Sequence, residues 1–436
     1  MKKSMKITIM ATIICFVMGA WAVAFAKAES EKAAGADTAA GASTATLSST
    51  VSAGTATTLS TGTSTAAASA ATVGTPLFAK NDLFSDRDLQ QEVDLADAVT
   101  YTLTDGQSVS ITAAGVYVLT GSAKNATVYV EADKKDKVQL VLDGLSVTNG
   151  DTPVIYVKSA DKVFVTTAAD STLAVTGSFT ADGDTNTDGV IFSKSDLVLN
   201  GTGTLTVSST RNGIVGKDDL KITGGTYVIT AQVKAIEAND SIRVSDGVLQ
   251  LTAGTDGLHA ENDDDNSKGY IYIGGGTIAI TAGDDGIHAI TAVQVDGGAI
   301  TITGSEGIEA TYVQLNGGTV AIDSWDDGIN AAQKSASYRA TVEINGGDIT
   351  VSMAAGDTDG VDSNGDIIVN GGTIQVTGNS TFDYDGSAQY NGGTIIVNGQ
   401  QIDYIPNQMM GGRGGFGGFG GGFGGGWGGF GGRGRG

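Results

Sequence analysis

The residues with most chemical reach in this chain sit in a turn that recurs. It reads Thr255-Asp256-Gly257-Leu258-His259-Ala260, then Asp284-Asp285-Gly286-Ile287-His288-Ala289. It continues as Ser305-Glu306-Gly307-Ile308-Glu309-Ala310, Trp325-Asp326-Asp327-Gly328-Ile329-Asn330-Ala331 and Asp357-Thr358-Asp359-Gly360-Val361-Asp362. In each copy glycine is expected to supply a positive φ, and the aliphatic residue after it to point into a core. The alternate residues Glu237, His259, His288, Glu309, Asn330 and Asp362 then face outward in one column. Stacking would set like carboxylates about 5 Å apart. Their repulsion is roughly 0.8 kcal/mol per pair in water and about 3 kcal/mol at an effective dielectric constant of 20. Cations between the rungs relieve that strain, and carboxylates with turn carbonyls suit Ca2+. The expected ligands are Asp256, Asp284, Asp285, Glu306, Glu309, Asp326, Asp327 and Asp359. The competing reading is a solvated acidic edge, using Asp because Asp tolerates tight turns.

Other chemistries fit these residues less well. His259 and His288 are the only histidines, and a closed zinc site wants four nitrogen or sulfur ligands where the neighbours are Asp, Glu and Asn. A Ser-His-Asp triad is a poor match for the same reason of supply. Paired carboxylates could serve a glycosidase or a calcium-dependent lyase. A lyase also wants a basic residue beside the metal. Arg211 and Lys234 lie at the equivalent turns of earlier units, with Arg243 and Arg339 weaker by position. No dedicated acid and base stand out, so no catalytic residue is assigned. A repeated ligand column argues for repeated binding. Trp325 lies in an acidic turn, with Tyr270, Tyr312 and Tyr338 near others, and flat rings of this kind can stack on sugar faces.

The elements that must position these turns follow from a second landmark. Glycines opening β-branched runs fall at Gly203, Gly225, Gly247, Gly276, Gly298, Gly318, Gly347, Gly372 and Gly393, spaced 20 to 29 residues apart. Two landmarks advancing together define one structural unit of roughly 22 residues, with two or three short alternating strands. That is the signature of an all-β solenoid, a right-handed single-stranded parallel β-helix. Longer intervals mark insertions at Glu261–Lys268 and Gln333–Ala340, expected as loops on one face. Strand-like runs between residues 101 and 175 lack the clean period and predict irregular N-terminal cap coils. Residues 82–98 predict a short helix or cap.

Composition bounds the rest. The 436 residues carry 48 Asp and Glu against 25 Lys and Arg, a net charge of −23 that opposes nucleic acid and anionic membrane and favours cations. Lys2, Lys3 and Lys6 precede an apolar run that closes in Ala24-Phe25-Ala26, so residues 1–26 read as a secretory signal peptide, with an uncleaved anchor as the rival. Cys15, the only cysteine, lies inside it, so the exported chain would have no disulfide. Residues 27–76 form an Ala/Thr/Ser/Gly-rich spacer, residues 77–405 the β-helix, and residues 406–436 a Gly-rich tail with single aromatics expected to be disordered.

Several segments carry a resemblance. They are Gly115-Val-Tyr-Val-Leu-Thr-Gly121, Lys137-Val-Gln-Leu-Val-Leu-Asp-Gly144, Asp196-Leu-Val-Leu-Asn-Gly-Thr-Gly203, Lys217-Asp-Asp-Leu-Lys-Ile-Thr-Gly-Gly-Thr226 and the Asp-Asp-Gly-Ile turns. Over roughly residues 80–400 the chain resembles a family of secreted bacterial carbohydrate-binding β-helix proteins, whose studied clostridial member binds cellulose and acidic pectin-type sugars with calcium. The resemblance implies a pectate-lyase-like fold and binding without cleavage. Lys234-Ala235-Ile236 departs from the Asp-Asp-Gly pattern, which puts a calcium ligand there in doubt. The expectation is therefore an extracellular or cell-surface protein that binds a polysaccharide, plant cell-wall or acidic, with Ca2+ in its acidic turns. A calcium-dependent lyase and an adhesin with a protein partner are the alternatives.

Overall fold

A computed structural model describes residues 74–356 and 358–408. The expected signal peptide, nearly all of the spacer and the tail beyond residue 408 lie outside them. Among the described residues the chain is all-β, with one four-residue α-helix, Lys80–Leu83.

The strands form a 25-stranded and a 12-stranded set, joined rung to rung by parallel pairing. One unit shows how. Thr277–Thr281, Asp285–Ala289 and Ala292–Val295 pair respectively with Ala299–Gly304, Glu306–Ala310 and Tyr312–Leu315 of the next unit. Each unit therefore adds one strand to each of three ladders. Two ladders make up the larger set and share the long strand Gly115–Lys124; the third is the 12-stranded set. Among the strands of the described residues, only Thr394–Val397 and Gln400–Ile402, at the far end, pair antiparallel.

The strand periodicity of two explains the core. Ile278 and Ile280 stack under Ile300 and Ile302, Ile287 under Ile308, and Val293 and Val295 under Val313 and Leu315, all buried. Like side chains meet like from rung to rung, so the interior is filled by aliphatic files. Asparagines add a second repeat at the Asn-Gly-Gly turns. Asn391, Asn370 and Asn345 each donate Nδ2–H to the Oδ1 of the preceding asparagine at 2.7 Å, down to Asn316.

Three expectations change. Positive φ falls on the glycines that open the strands, such as Gly276 (+91°) and Gly298 (+97°), and not on those of the acidic turns. Gly286 and Gly307 are needed for space. A Cβ on Gly286 would run into the side chain of Ile302, and one on Gly307 would meet Ile322 and the carbonyl of Gly328. The early strands are not a separate cap. Val109–Ile111 pairs with Val128–Glu131, which pairs with Ile155–Ser159, so they are rungs of the same ladder with one register shift at Val130/Glu131.

Residues 74–91, finally, hold a short helix only at Lys80–Leu83 and do not form a cap. They run as a strap along the outward file of one ladder, against the direction in which the rungs advance. Gly74 N–H donates to Glu343 Oε1 (2.5 Å), Leu77 N–H to Gln314 Oε1 (3.0 Å) and Phe78 N–H to Gln294 Oε1 (2.7 Å). Further along, Arg243 donates to the carbonyl of Leu83 (3.3 Å), and the Arg87 guanidinium lies 4.7 Å above the Phe164 ring. Asp88, fully buried, accepts from Lys221 (2.9 Å) and Lys162 (3.1 Å).

Candidate metal centre and ligand face

The acidic turns feed the 12-stranded ladder. Its outward file is continuous in register: Tyr129, Tyr156, Phe192, Val215, Glu237, His259, His288, Glu309, Asn330, Asp362, Asp383. After Ser110 on the first rung it is aromatic or aliphatic as far as Val215, and it turns polar at Glu237. The expected column thus exists, although His259, Glu309 and Asn330 are buried. The insertion loops crowd it: Glu261 reaches His259 and Lys334 reaches Glu309. The two loops also meet each other, Ser335 Oγ donating to the carbonyl of Asn266 at 3.2 Å.

Three residues before this file runs another, set by the residue preceding each turn glycine. Asp256, Asp285, Glu306, Asp327 and Asp359 belong to it, with Asp285 paired to Glu306 and backbone bonds linking the successive turns. Asp284 and Asp326 stand one position earlier and are exposed, so they share neither file. Of the eight expected ligands, five stack in this file and Glu309 in its neighbour.

The upstream part of the two files is nitrogen-rich. The rings of His259 and His288 stack at 4.7 Å with 14° between planes. His288 Nδ1 lies 2.5 Å from Asp285 Oδ2 and 3.0 Å from Glu309 Oε2, and Lys334 Nζ is 2.8 Å from the same Glu309 oxygen. Burial disfavours the charged His288 ring, but its bonds to Asp285 and Glu309 outweigh burial and push it up to about 9. Glu306 is pushed up to about 8 by burial first and then by the charge of Glu309. Asn330 Nδ2 donates to Glu306 Oε2 at 3.1 Å.

Downstream the donors are oxygens alone. One carboxylate oxygen each of Asp359, Asp362 and Asp383 falls within a 4.8 Å cluster. Burial, then the charges of Asp327, Asp359 and Asp383, push Asp362 up to about 7. Asp327 goes up to about 6, chiefly through burial, although the Asp359 amide donates to it at 3.1 Å. Asp383 Oδ1 is buried without a hydrogen-bond partner. Asp383 was not among the expected ligands because no Asp-Gly turn precedes it; counting 21 residues on from Asp362 would have found it.

The chain belongs to a carbohydrate-binding family. A family model described as carbohydrate-binding domain-containing protein matches residues 105–357. A protein of that description from Acetivibrio thermocellus is 35% identical over 145 residues, 31% of this chain. The match spans about half of that relative's length, 51%. A solved structure described as a polysaccharide lyase-like protein from C. thermocellum, gadolinium derivative, is 30% identical and aligns with 51% of this chain and 96% of its own, at a TM-score of 0.46.

For a carbohydrate-binding family member, ring exposure matters. Trp325 is 50% exposed and precedes Asp326 and Asp327 in its turn. The expected tyrosines are not free platforms. Phe78 of the strap stacks on Tyr270 at 4.2 Å, and Tyr312 is buried with its hydroxyl donating to Glu343 Oε2 at 2.8 Å. Tyr338 packs edge-on against Tyr312 at 5.5 Å. The strap and the 333–340 loop cover what an isolated sequence leaves bare. The two candidate bases are also engaged: Arg211 lies 3.6 Å from Asp188 Oδ2 and Lys234 3.5 Å from Glu237 Oε2.

Proposed function

We propose that this chain is an exported, surface-facing polysaccharide-binding protein, a right-handed parallel β-helix whose acidic turns hold Ca2+. The handedness follows the crossover rule for parallel strands. The observation that carries the reading is the cluster of Asp359, Asp362 and Asp383 beside Asp327, an all-oxygen donor set of the kind that suits a hard cation. Ca2+ there would offset carboxylate repulsion and tie successive rungs together, with open positions for sugar hydroxyls or uronate oxygens. Trp325 would supply the stacking face. Binding without cleavage is favoured because Arg211 and Lys234 each already serve a carboxylate. Nearer the other end of the file, Asp285 and Glu309 are neutralised by His288 and Lys334, so calcium is assigned to the downstream rungs.

The test is a pulldown of the purified protein on cellulose, pectin and other glycans, with and without calcium. Retention that depends on calcium and on Asp362 and Asp383 supports the reading. Retention and melting temperature both indifferent to a chelator would remove calcium from it. Release of unsaturated products from polygalacturonate, seen as new ultraviolet absorbance, would replace binding with lyase activity.

A further inference from the structure

The strap's contacts differ in kind from those of the ladder it lies on. Each ladder pairing joins residues one unit apart, Gln294 with Gln314 for instance. The strap instead meets Lys221 across 133 residues, Gln294 across 216 and Glu343 across 269. Loop closure loses more entropy the longer the loop, so in an unformed chain the strap contacts are the least favourable to make. Stacked rungs change that. Residues 92–98 alone then separate the strap from the first strand, Val99–Leu103, and its partners from Lys221 to Glu343 stand in one line.

The chemistry along that line has a direction. At the end nearest the first strand, Asp88 joins Lys162 to Lys221 across the strand between them, Asp196–Gly201. Gln91 adds to this anchor, donating to the carbonyl of Thr223 (2.9 Å) and accepting from the Gly201 amide (3.0 Å). Farther on, neutral carboxamides hold main chain, rung by rung. Gln294 accepts from the Phe78 amide and donates back to the Phe78 carbonyl (3.1 Å). Gln314 accepts from the Leu77 amide and donates to the carbonyl of Thr75 (2.9 Å). Charge-assisted bonds are roughly twice as strong as neutral ones, which makes Asp88 the firm end.

We propose that residues 74–91 are a latch that closes last, docking from Asp88 toward Gly74, and that its closure makes the rungs it crosses open as one unit. A solenoid held by neighbour contacts alone is quasi-one-dimensional, and its rungs can open one at a time. The strap touches every strand of its ladder from Lys162–Thr167 to Thr341–Ile344. Its length is fixed, so a rung that opens beneath it must also shed the strap bonds on one side. Among the described residues, Asp366–Val369 and Ala388–Tyr390 take no bond from the strap and keep neighbour contacts alone.

The experiment is hydrogen exchange of the full chain, read by mass spectrometry across a denaturant series and by pulse labelling on refolding. In the wild type, Ser241–Val244, Ala292–Val295 and Tyr312–Leu315 should lose protection together, with Asp366–Val369 opening before them. Asp88→Ala should speed exchange throughout residues 74–91 by about 100-fold or more and spread the three strands over separate midpoints. Asp88→Asn, closer in shape, gives the same reading if the alanine variant does not fold. Gln294→Ala with Gln314→Ala should instead free residues 74–78 by about 10-fold and leave residues 84–91 protected. During refolding, Tyr312–Leu315 should become protected before residues 74–78. Separate opening of the three strands in the wild type would overturn the coupling. Release of the whole strap by the glutamine pair, or protection of residues 74–78 ahead of Tyr312–Leu315, would overturn the order of closure.

Discussion

Two outward files climb the same stack and meet opposite fates. One runs Gln139, Phe164, Val198, Lys221, Arg243, Tyr272, Gln294, Gln314, Glu343; the other runs Glu237, His259, His288, Glu309, Asn330, Asp362, Asp383. Both are outward, largely polar positions alternating with core aliphatics. In the first, the chain's own residues 74–91 satisfy the side chains one after another. In the second, insertion loops approach from the sides and acids are left facing acids. Polarity along a solenoid face is therefore no mark of function by itself. What marks it is a polar file that the chain leaves uncovered.

The comparison breaks most readily at Asp88. Its carboxylate is buried between Lys221 and Lys162, and Lys221 is itself buried. Asp88→Ala leaves a buried ammonium without its partner, which costs about 3–5 kcal/mol. Chemical denaturation should show that loss, together with protease cleavage within residues 74–91. The same deletion of a carboxylate in the open file, Asp362→Asn, should raise the melting temperature of calcium-free protein, because it removes repulsion. Destabilisation of similar size in both variants would erase the distinction between the files.

Calcium should supply the next largest effect. If the downstream rungs hold Ca2+, saturating it at about 100 times its Kd stabilises the folded state by about 2.7 kcal/mol. A chelator should lower the melting temperature accordingly, and Asp362→Asn and Asp383→Asn should abolish the response. The strap side should not respond.

Acid should then act on the strap. Burial raises the Asp88 pKa, but the bond from Lys221, the Ser85 amide and Lys162 outweigh it and hold the group down at about 2. A carboxylate held below its ordinary value of 3.8 stabilises the fold fully above that value, and the contribution disappears as pH falls through 2. The stake is about 2–3 kcal/mol. Strap protection in hydrogen exchange should persist at pH 5 and decline between about pH 4 and 2, with Asp88→Asn flat over that interval.

How much of this the sequence could carry depends on range. The rungs were legible, because the Gly-Thr and acidic-turn landmarks repeat every unit and each repeat is a local signal. The stacking of Glu237, His259, His288, Glu309, Asn330 and Asp362 followed from it. The role of the turn glycines was not legible: Gly286 is forced by Ile302, sixteen residues on and one rung away, and no local pattern shows a missing Cβ's neighbour. The strap was equally hidden, since Asp88 meets Lys221 across 133 residues without any repeat to announce it. The tyrosines followed the strap. Tyr270 reads as a sugar platform in the sequence, but Phe78 lies on its ring.

Trp325 offers the finest cut between the files. It is an exposed aromatic at an acidic turn, while Tyr270 and Tyr312 are held by the strap side. Trp325→Ala removes a half-exposed ring that fills no core position, so stability should change by less than about 0.5 kcal/mol. If the ring stacks on sugar, its loss should weaken glycan retention by roughly tenfold, about 1.4 kcal/mol. Tyr312→Phe should do the opposite: it strands Glu343 Oε2 of its hydroxyl bond, lowering stability by about 1 kcal/mol while leaving glycan affinity unchanged. Affinity electrophoresis beside thermal melts separates the two. A glycan loss in Tyr312→Phe with none in Trp325→Ala would move the binding face to the ladder under the strap, and the uncovered acidic file would then be a metal staple alone.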